Sequence, residues 1–96
     1  MRPFKYTEAS DAAVATRSVA ANPEAKFLAG GTNLVDLMRE YIAKPNELVD
    51  IKPLGMSQIQ RTSGGISIGA LARNTDTANH PLVRKDFPLL TMAILA

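Results

Sequence analysis

The stretch Lys26-Phe27-Leu28-Ala29-Gly30-Gly31-Thr32-Asn33-Leu34 decides how the rest of the chain is read. Lys26 to Ala29 is a brief, largely apolar run that stops at two glycines, as a short buried strand does. Beyond the glycines, Leu34, Leu37, Met38 and Tyr41 fall at i, i+3, i+4 and i+7, one face of a 3.6-residue period. The spacing predicts a helix opened by Thr32 or Asn33 as cap and closed by Lys44-Pro45-Asn46, because the residue before a proline is steered out of the helical region. Downstream, Glu47 to Lys52 reads as a second strand centred on Leu48-Val49-Asp50-Ile51, with Pro53-Leu54-Gly55 ending it. Upstream, the alanine-rich segment Thr7 to Ala21 reads as a helix with Ser10-Asp11 as cap and Asn22-Pro23 as stop. Helix, strand, helix, strand is the order from which parallel βαβ sheets are built.

After Leu54 the pattern changes. Ser57 to Arg61 and Ile66 to Ala70 show rough polar and apolar alternation and are joined through Thr62-Ser63-Gly64-Gly65, which predicts an antiparallel hairpin. Asn74-Thr75 is placed to cap a short helix to Asn79, Pro81 suits a first helical position, and Pro88 opens an apolar helix through Leu89, Leu90, Met92, Ala93 and Leu95. The expected fold class is therefore α+β: a small parallel βαβ subdomain over residues 1–54, then the start of an antiparallel α+β subdomain over residues 55–96. Residues 88–96 run to the last position without a Gly, Asn or Lys cap or a polar tail, so the chain is expected to be part of a longer protein.

Composition narrows the function classes. The 96 residues are 46% hydrophobic and 21% charged, which is ordinary for a folded chain and far from the signature of disorder. The net charge is +2 and the basic residues are scattered, apart from Arg84-Lys85, so no basic stripe for nucleic acid exists. With no cysteine there is no disulfide, thiolate nucleophile or Cys-ligated metal on this chain. No apolar run approaches the ~20 residues of a membrane span, and Met1 to Tyr6 lacks the apolar core of a signal peptide.

The Gly-Gly turn is where chemistry is expected. Glycines let backbone approach a ligand closely, and a helix start presents unpaired N–H groups and the positive end of its dipole, the ingredients of a phosphate site. A tight strand-to-helix turn capped by Thr32 has the same spacing, and spacing alone leaves both readings open. The adjacent glycines do not fit G-x-G-x-x-G, and no Gly-Lys-Ser or Gly-Lys-Thr follows, so neither a Rossmann fingerprint nor a P-loop is present. Other residue types gain no role: the single histidine, His80, reads as a surface or capping group, Asp36 and Glu40 as part of a solvated charged face with Arg39 and Lys44, and Met38 and Tyr41 as core. The serines have no His and Asp company that would make a nucleophile.

The segment Ala25 to Met38, AKFLAGGTNLVDLM, closely resembles the flavin-diphosphate loop in the FAD-binding medium subunit of molybdopterin-dependent dehydrogenases, the xanthine dehydrogenase, carbon monoxide dehydrogenase and aldehyde oxidoreductase family. The opening Arg2-Pro3-Phe4-Lys5-Tyr6, Leu48-Val49-Asp50-Ile51, the run from Gly65 to Asp76 and Phe87-Pro88-Leu89-Leu90 resemble it too, especially its bacterial aldehyde oxidoreductase branch. The resemblance covers Met1 to Ala96. It implies the FAD-binding PCMH-type fold, with 1–54 as the diphosphate-binding subdomain and 55–96 as the incomplete start of a second FAD-binding subdomain. It implies FAD as cofactor, held by Lys26, Phe27, Leu28, Ala29, Gly30, Gly31, Thr32, Asn33 and Leu34, with backbone N–H groups of Ala29 to Asn33 on the diphosphate and hydrogen bonds added by the Thr32 and Asn33 side chains. No residue here is implied as catalytic acid, base or nucleophile, nor as a metal ligand. The family's subunit is roughly three times this length; a second glycine-rich segment follows, and in the aldehyde oxidoreductase branch a cysteine-containing insertion holds a [4Fe–4S] cluster. The implied partners are a small subunit with [2Fe–2S] clusters and a large subunit with the molybdopterin cofactor, which selects the substrate; electrons would pass through FAD to an external acceptor. Implied locations are the cytoplasm, or the periplasm by export with a partner bearing a twin-arginine signal. The competing expectation is a small α/β structural or interaction domain that binds no nucleotide.

Overall fold

A computed structural model describes all residues, Met1–Ala96, and divides the chain into two compact units, Met1–Gly55 and Met56–Ala96. The first holds a three-stranded parallel sheet of β1 (Lys5–Glu8), β2 (Ala25–Leu28) and β3 (Glu47–Asp50) in the order β1-β3-β2. Glu47 lies level with Lys5 on one side and Ala25 on the other, and Asp50 with Glu8 and Leu28. Helix α1 (Ala12–Ala21) links β1 to β2, and α2 (Leu34–Arg39) links β2 to β3. The expected α+β class, parallel first and antiparallel second, is the one found.

Residues 5–8 belong to β1, not to the expected helix starting at Thr7. Asp11 sets the true start, its carboxylate accepting the Val14 N–H at 2.8 Å. Lys5-Tyr6-Thr7-Glu8 has no apolar alternation and becomes strand through its partner: Lys5 N–H donates to the Asn46 carbonyl at 2.9 Å, Ala9 N–H to the Asp50 carbonyl at 3.0 Å, and the Thr7 hydroxyl to Glu47 at 2.8 Å. Helix α1 lies against one face of the sheet, where Ala9, Ala15, Ala25 and Val49 form the core with Val19, Ile51 and Leu54 packed around them. Alanines let helix and sheet approach closely, each burying only a methyl worth about 0.8 kcal/mol. At the amino ends of the strands, Arg2 binds Glu24 at 3.0 Å and the Lys44 carbonyl at 2.9 Å, and the Asn22 amide donates to Asn46 at 2.8 Å.

Helix α2 stops at Arg39, short of the expected reach to Tyr41. Ile42 N–H bonds back to the Leu37 carbonyl at 2.9 Å and Tyr41 N–H to the Met38 carbonyl at 3.1 Å, the paired bonds of a Schellman turn, with Tyr41 left-handed at φ 57°. Met38 is buried as expected, but Tyr41 is 55% exposed and is no core residue. The second expected strand ends at Asp50, and Lys52–Leu54 is a 3₁₀ turn closed by left-handed Gly55.

In the second unit, β4 (Ile59–Thr62) and β5 (Gly65–Ile68) form the expected antiparallel hairpin, with Thr62 opposite Gly65. Helices α3 (Asn74–Asn79), α4 (Pro81–Asp86) and α5 (Pro88–Leu95) pack together over buried Ala78 and Val83. Pro81 and Pro88 open their helices, whereas the α3 cap position is Arg73 rather than Asn74. His80 joins α3 to α4: its N–H closes α3 on the Thr77 carbonyl at 3.3 Å and its Nδ1 accepts the Leu82 N–H at 3.2 Å, the capping role expected of it.

Candidate functional site

The loop Ala29–Asn33 leaves the carboxyl end of β2, where ligands of open parallel sheets collect. Its backbone donors are free. No N–H of Ala29, Gly30, Gly31, Thr32, Asn33 or Leu34 meets an acceptor in the protein, while the carbonyls of Gly31 and Asn33 receive Val35 and Leu37 at 3.0 and 3.1 Å. Gly31 has φ 82°, a conformation open to glycine and strained for other residues; a Cβ there would rest 3.4 Å from Leu28 Cδ1 and 3.4 Å from Val35 Cγ2, so glycine is fixed by backbone conformation more than by space. Gly30 differs, since a Cβ added to it meets nothing within 4 Å and would project into open space.

Thr32 and Asn33 do not cap α2. Asn33 occupies the cap position but is itself helical (φ −93°, ψ −50°), which turns its side chain away from the first-turn amides, and no side-chain cap bond forms. Both side chains are exposed at the loop and spend no hydrogen bond on the protein. At six residues, α2 lends the loop only a small dipole, so the anion-binding capacity rests on the local amides. Leu28, Ala29, Gly31 and Leu34 are half-buried. Lys26 and Phe27 are exposed on opposite faces of β2, so their side chains do not converge on the loop; they share with it the backbone that leads into it.

The strand order brings a second cluster to the same end of the sheet. Asp50 is only 3% exposed. Its Oδ1 accepts the Lys52 N–H at 2.9 Å, its Oδ2 accepts the Tyr6 hydroxyl, and the Lys52 ammonium stands 3.6 Å away. Burial pushes the Asp50 carboxyl up, but the hydrogen bonds from Tyr6 and Lys52 together with the Lys52 charge outweigh it and hold the group below the ordinary aspartate value. The Tyr6 phenol is pushed up to about 12, first by donating to Asp50, then by desolvation and the nearby Asp50 and Glu8 charges. Glu47, at the other end of β3, is lowered by the Thr7 hydroxyl, the Asn22 amide and the Lys5 charge. In the sequence Asp50 is one residue of an apolar strand; a carboxylate inside a run of Leu, Val and Ile is the signal that it needs partners.

The sequence and the fold match a known family. Residues 2–96 match the family described as the FAD binding domain in molybdopterin dehydrogenase. The chain belongs to that family. The aldehyde oxidoreductase FAD-binding subunit PaoB of Escherichia coli is 47% identical over 97 residues, covering 100% of this chain and 30% of that protein. The glyceraldehyde dehydrogenase medium chain of Sulfolobus acidocaldarius is 31% identical over 88 residues, 91% of this chain and 31% of that one. In structure, a chain of the carbon monoxide dehydrogenase from Hydrogenophaga pseudoflava superposes with a TM-score of 0.88 at 29% identity, over 96% of this chain and 33% of its own length. The chain thus spans about a third of the length of these relatives. The family that the sequence resembles is the one found.

Proposed function

We propose that this chain is part of the FAD-binding subunit of a molybdopterin-dependent dehydrogenase, and that residues 26–34 form the flavin-diphosphate site. The observation that carries the reading is the run of N–H groups from Ala29 to Leu34 without acceptors in the protein, beside the open face of Gly30. These residues fit a diphosphate: successive backbone donors without protein acceptors lie at the end of a parallel sheet, two glycines keep side chains out of the way, and Thr32 and Asn33 add a free hydroxyl and amide. Residues 1–54 are the diphosphate-binding subdomain and 55–96 the start of the second FAD-binding subdomain.

When bound, FAD supplies the redox chemistry, taking electrons delivered by iron–sulfur clusters of a small partner subunit and passing them to an external acceptor. The protein's part is to bind and orient. Substrate selection falls to a large partner subunit with the molybdopterin cofactor, and in the aldehyde oxidoreductase branch a [4Fe–4S] cluster belongs to the remainder of this subunit. No helix of the chain is long and apolar enough to cross a membrane. Its location follows the complex, in the cytoplasm or carried to the periplasm by a partner with a twin-arginine signal.

The test is flavin content. Gly30→Val is the clean probe, because a Cβ added there meets no protein atom within 4 Å and so brings a branched side chain into the open space of the loop. Gly31→Val would confound binding with backbone strain at φ 82°. The flavin-to-protein ratio of purified Gly30→Val is expected to fall well below wild type at unchanged Tm, and Thr32→Ala to weaken binding by about 1 to 3 kcal/mol. A full complement of FAD in Gly30→Val contradicts the assignment.

A further inference from the structure

Asp50 has no part in the binding just described, yet it is tied to the loop through a short chain of bonds. Its carboxylate takes the Lys52 N–H and the Tyr6 hydroxyl, and its carbonyl takes the Ala9 N–H at 3.0 Å, so one residue fastens the end of β1 and the turn after β3. Within that turn the Ile51 N–H donates to the Leu28 carbonyl at 3.0 Å. Leu28 is the last residue of β2 and the one from which the loop departs, and its side chain lines the space beside Gly31. No other backbone hydrogen bond links the residues just past β3 to the start of the loop.

We propose that Asp50 is a positioning residue for the diphosphate loop: by fixing the Ile51–Lys52 turn from behind, it sets where the Leu28 carbonyl lies and hence where the free amides of residues 29–34 point. The role rests on the loop assignment above. A mispointed amide loses hydrogen-bond strength steeply with angle, so a small displacement at Leu28 costs ligand affinity out of proportion to its cost in folding. The geometry also gives Tyr6 a task that its half-exposed ring does not need for packing, since its hydroxyl completes the Asp50 shell.

The experiment compares FAD release from the purified, FAD-loaded subunit, followed by flavin fluorescence well below Tm, in Asp50→Asn, Tyr6→Phe, Val49→Ala and Gly30→Val. Val49 is the stability control: it is fully buried in the same strand but faces α1, away from the Asp50 side. Removing a partner behind a ligand-contacting group typically weakens the ligand about tenfold or more, and release from Asp50→Asn should accelerate on that scale. Tyr6→Phe should follow in the same direction, about threefold, with faster hydrogen exchange of the Ile51 amide in both. Val49→Ala should lose Tm while releasing FAD at the wild-type rate. If Val49→Ala and Asp50→Asn change release equally, Asp50 acts only through stability and the proposal fails. If Asp50→Asn does not fold, Tyr6→Phe carries the test, and a release rate within twofold of wild type overturns it. Gly30→Val keeps two failures apart. Loss of FAD there with wild-type release from Asp50→Asn overturns the positioning role alone, whereas retention there overturns the loop assignment and the positioning role with it.

Discussion

Gly69 shows how much one residue can fix. A Cβ on it would lie 2.3 Å from the Met56 carbonyl oxygen and 2.6 Å from its carbon, backbone atoms held in place by the Leu71 N–H at 2.7 Å. Gly69→Ala is therefore expected to destabilise the second unit by about 2 to 4 kcal/mol, read as a drop in the urea midpoint; a change under about 0.5 kcal/mol would show that the two segments part freely. The Tyr6–Asp50 pair makes a pH statement with a definite sign. Asp50 is depressed in the fold, so its contribution is present above the unfolded aspartate value and is lost as pH falls through the depressed one. Tyr6 is raised from 10.0 to about 12, so its contribution is whole below 10.0 and lost as pH climbs through about 12. In a Tyr41→Phe background, where Tyr6 is the remaining tyrosine of this chain, ultraviolet titration should place its ionisation near 12, and Asp50→Asn should bring it back towards 10.0. An unchanged titration in Asp50→Asn would break the link between the two groups.

At the scale of elements, the end of α2 carries a cost that sequence periodicity hides. Leu34, Leu37, Met38 and Tyr41 keep helical spacing, yet the Schellman bonds to Leu37 and Met38 end the helix and force Tyr41 to φ 57°. Tyr41→Gly should stabilise the first unit by about 1 kcal/mol, since its exposed ring offers little packing to lose and the left-handed strain is removed. Chemical denaturation of the two proteins checks it, and a destabilised Tyr41→Gly would mean that the ring, or the hydrogen bond its hydroxyl accepts from the Met1 ammonium, matters more than the strain. The same contrast explains what was legible. The glycine pair between β2 and α2, the hairpin, and the prolines opening α4 and α5 are local signals, written within a few residues of where they act. Strand β1 is not, because Lys5-Tyr6-Thr7-Glu8 becomes strand only by pairing with residues about 40 positions away. The Asp50 cluster was hidden for the same reason, its partner Tyr6 lying 44 residues upstream. The proposal that the loop is a flavin site starts from the wording of its sequence, whereas its free amides are visible only in three dimensions.

For the whole molecule, two units of different sheet type share one chain, and the second presents an apolar surface on α5. Phe87, Pro88, Leu89, Leu90 and Ala93 line a shallow apolar depression, with Leu89 76% and Met92 66% exposed. The 96-residue chain in isolation is expected to self-associate as concentration rises, and Leu89→Lys with Met92→Lys to reduce it in light scattering; equal scattering from both proteins would place the sticky surface elsewhere. Binding should be weak as well, because the amides of a loop open to water compete with hydration for the diphosphate, and a dissociation constant of about 0.1 mM or higher is expected for FAD on this chain alone. Weak binding suits nuclear magnetic resonance, which reads each amide separately. The most direct measurement is a ¹H–¹⁵N titration of the chain with FAD, followed residue by residue. The amides of Ala29, Gly30, Gly31, Thr32, Asn33 and Leu34 should shift most, and ADP, which carries the same diphosphate, should move the same set. Shifts centred on other residues, or none in the loop at millimolar FAD, would contradict the assignment of residues 26–34 as the flavin-diphosphate site.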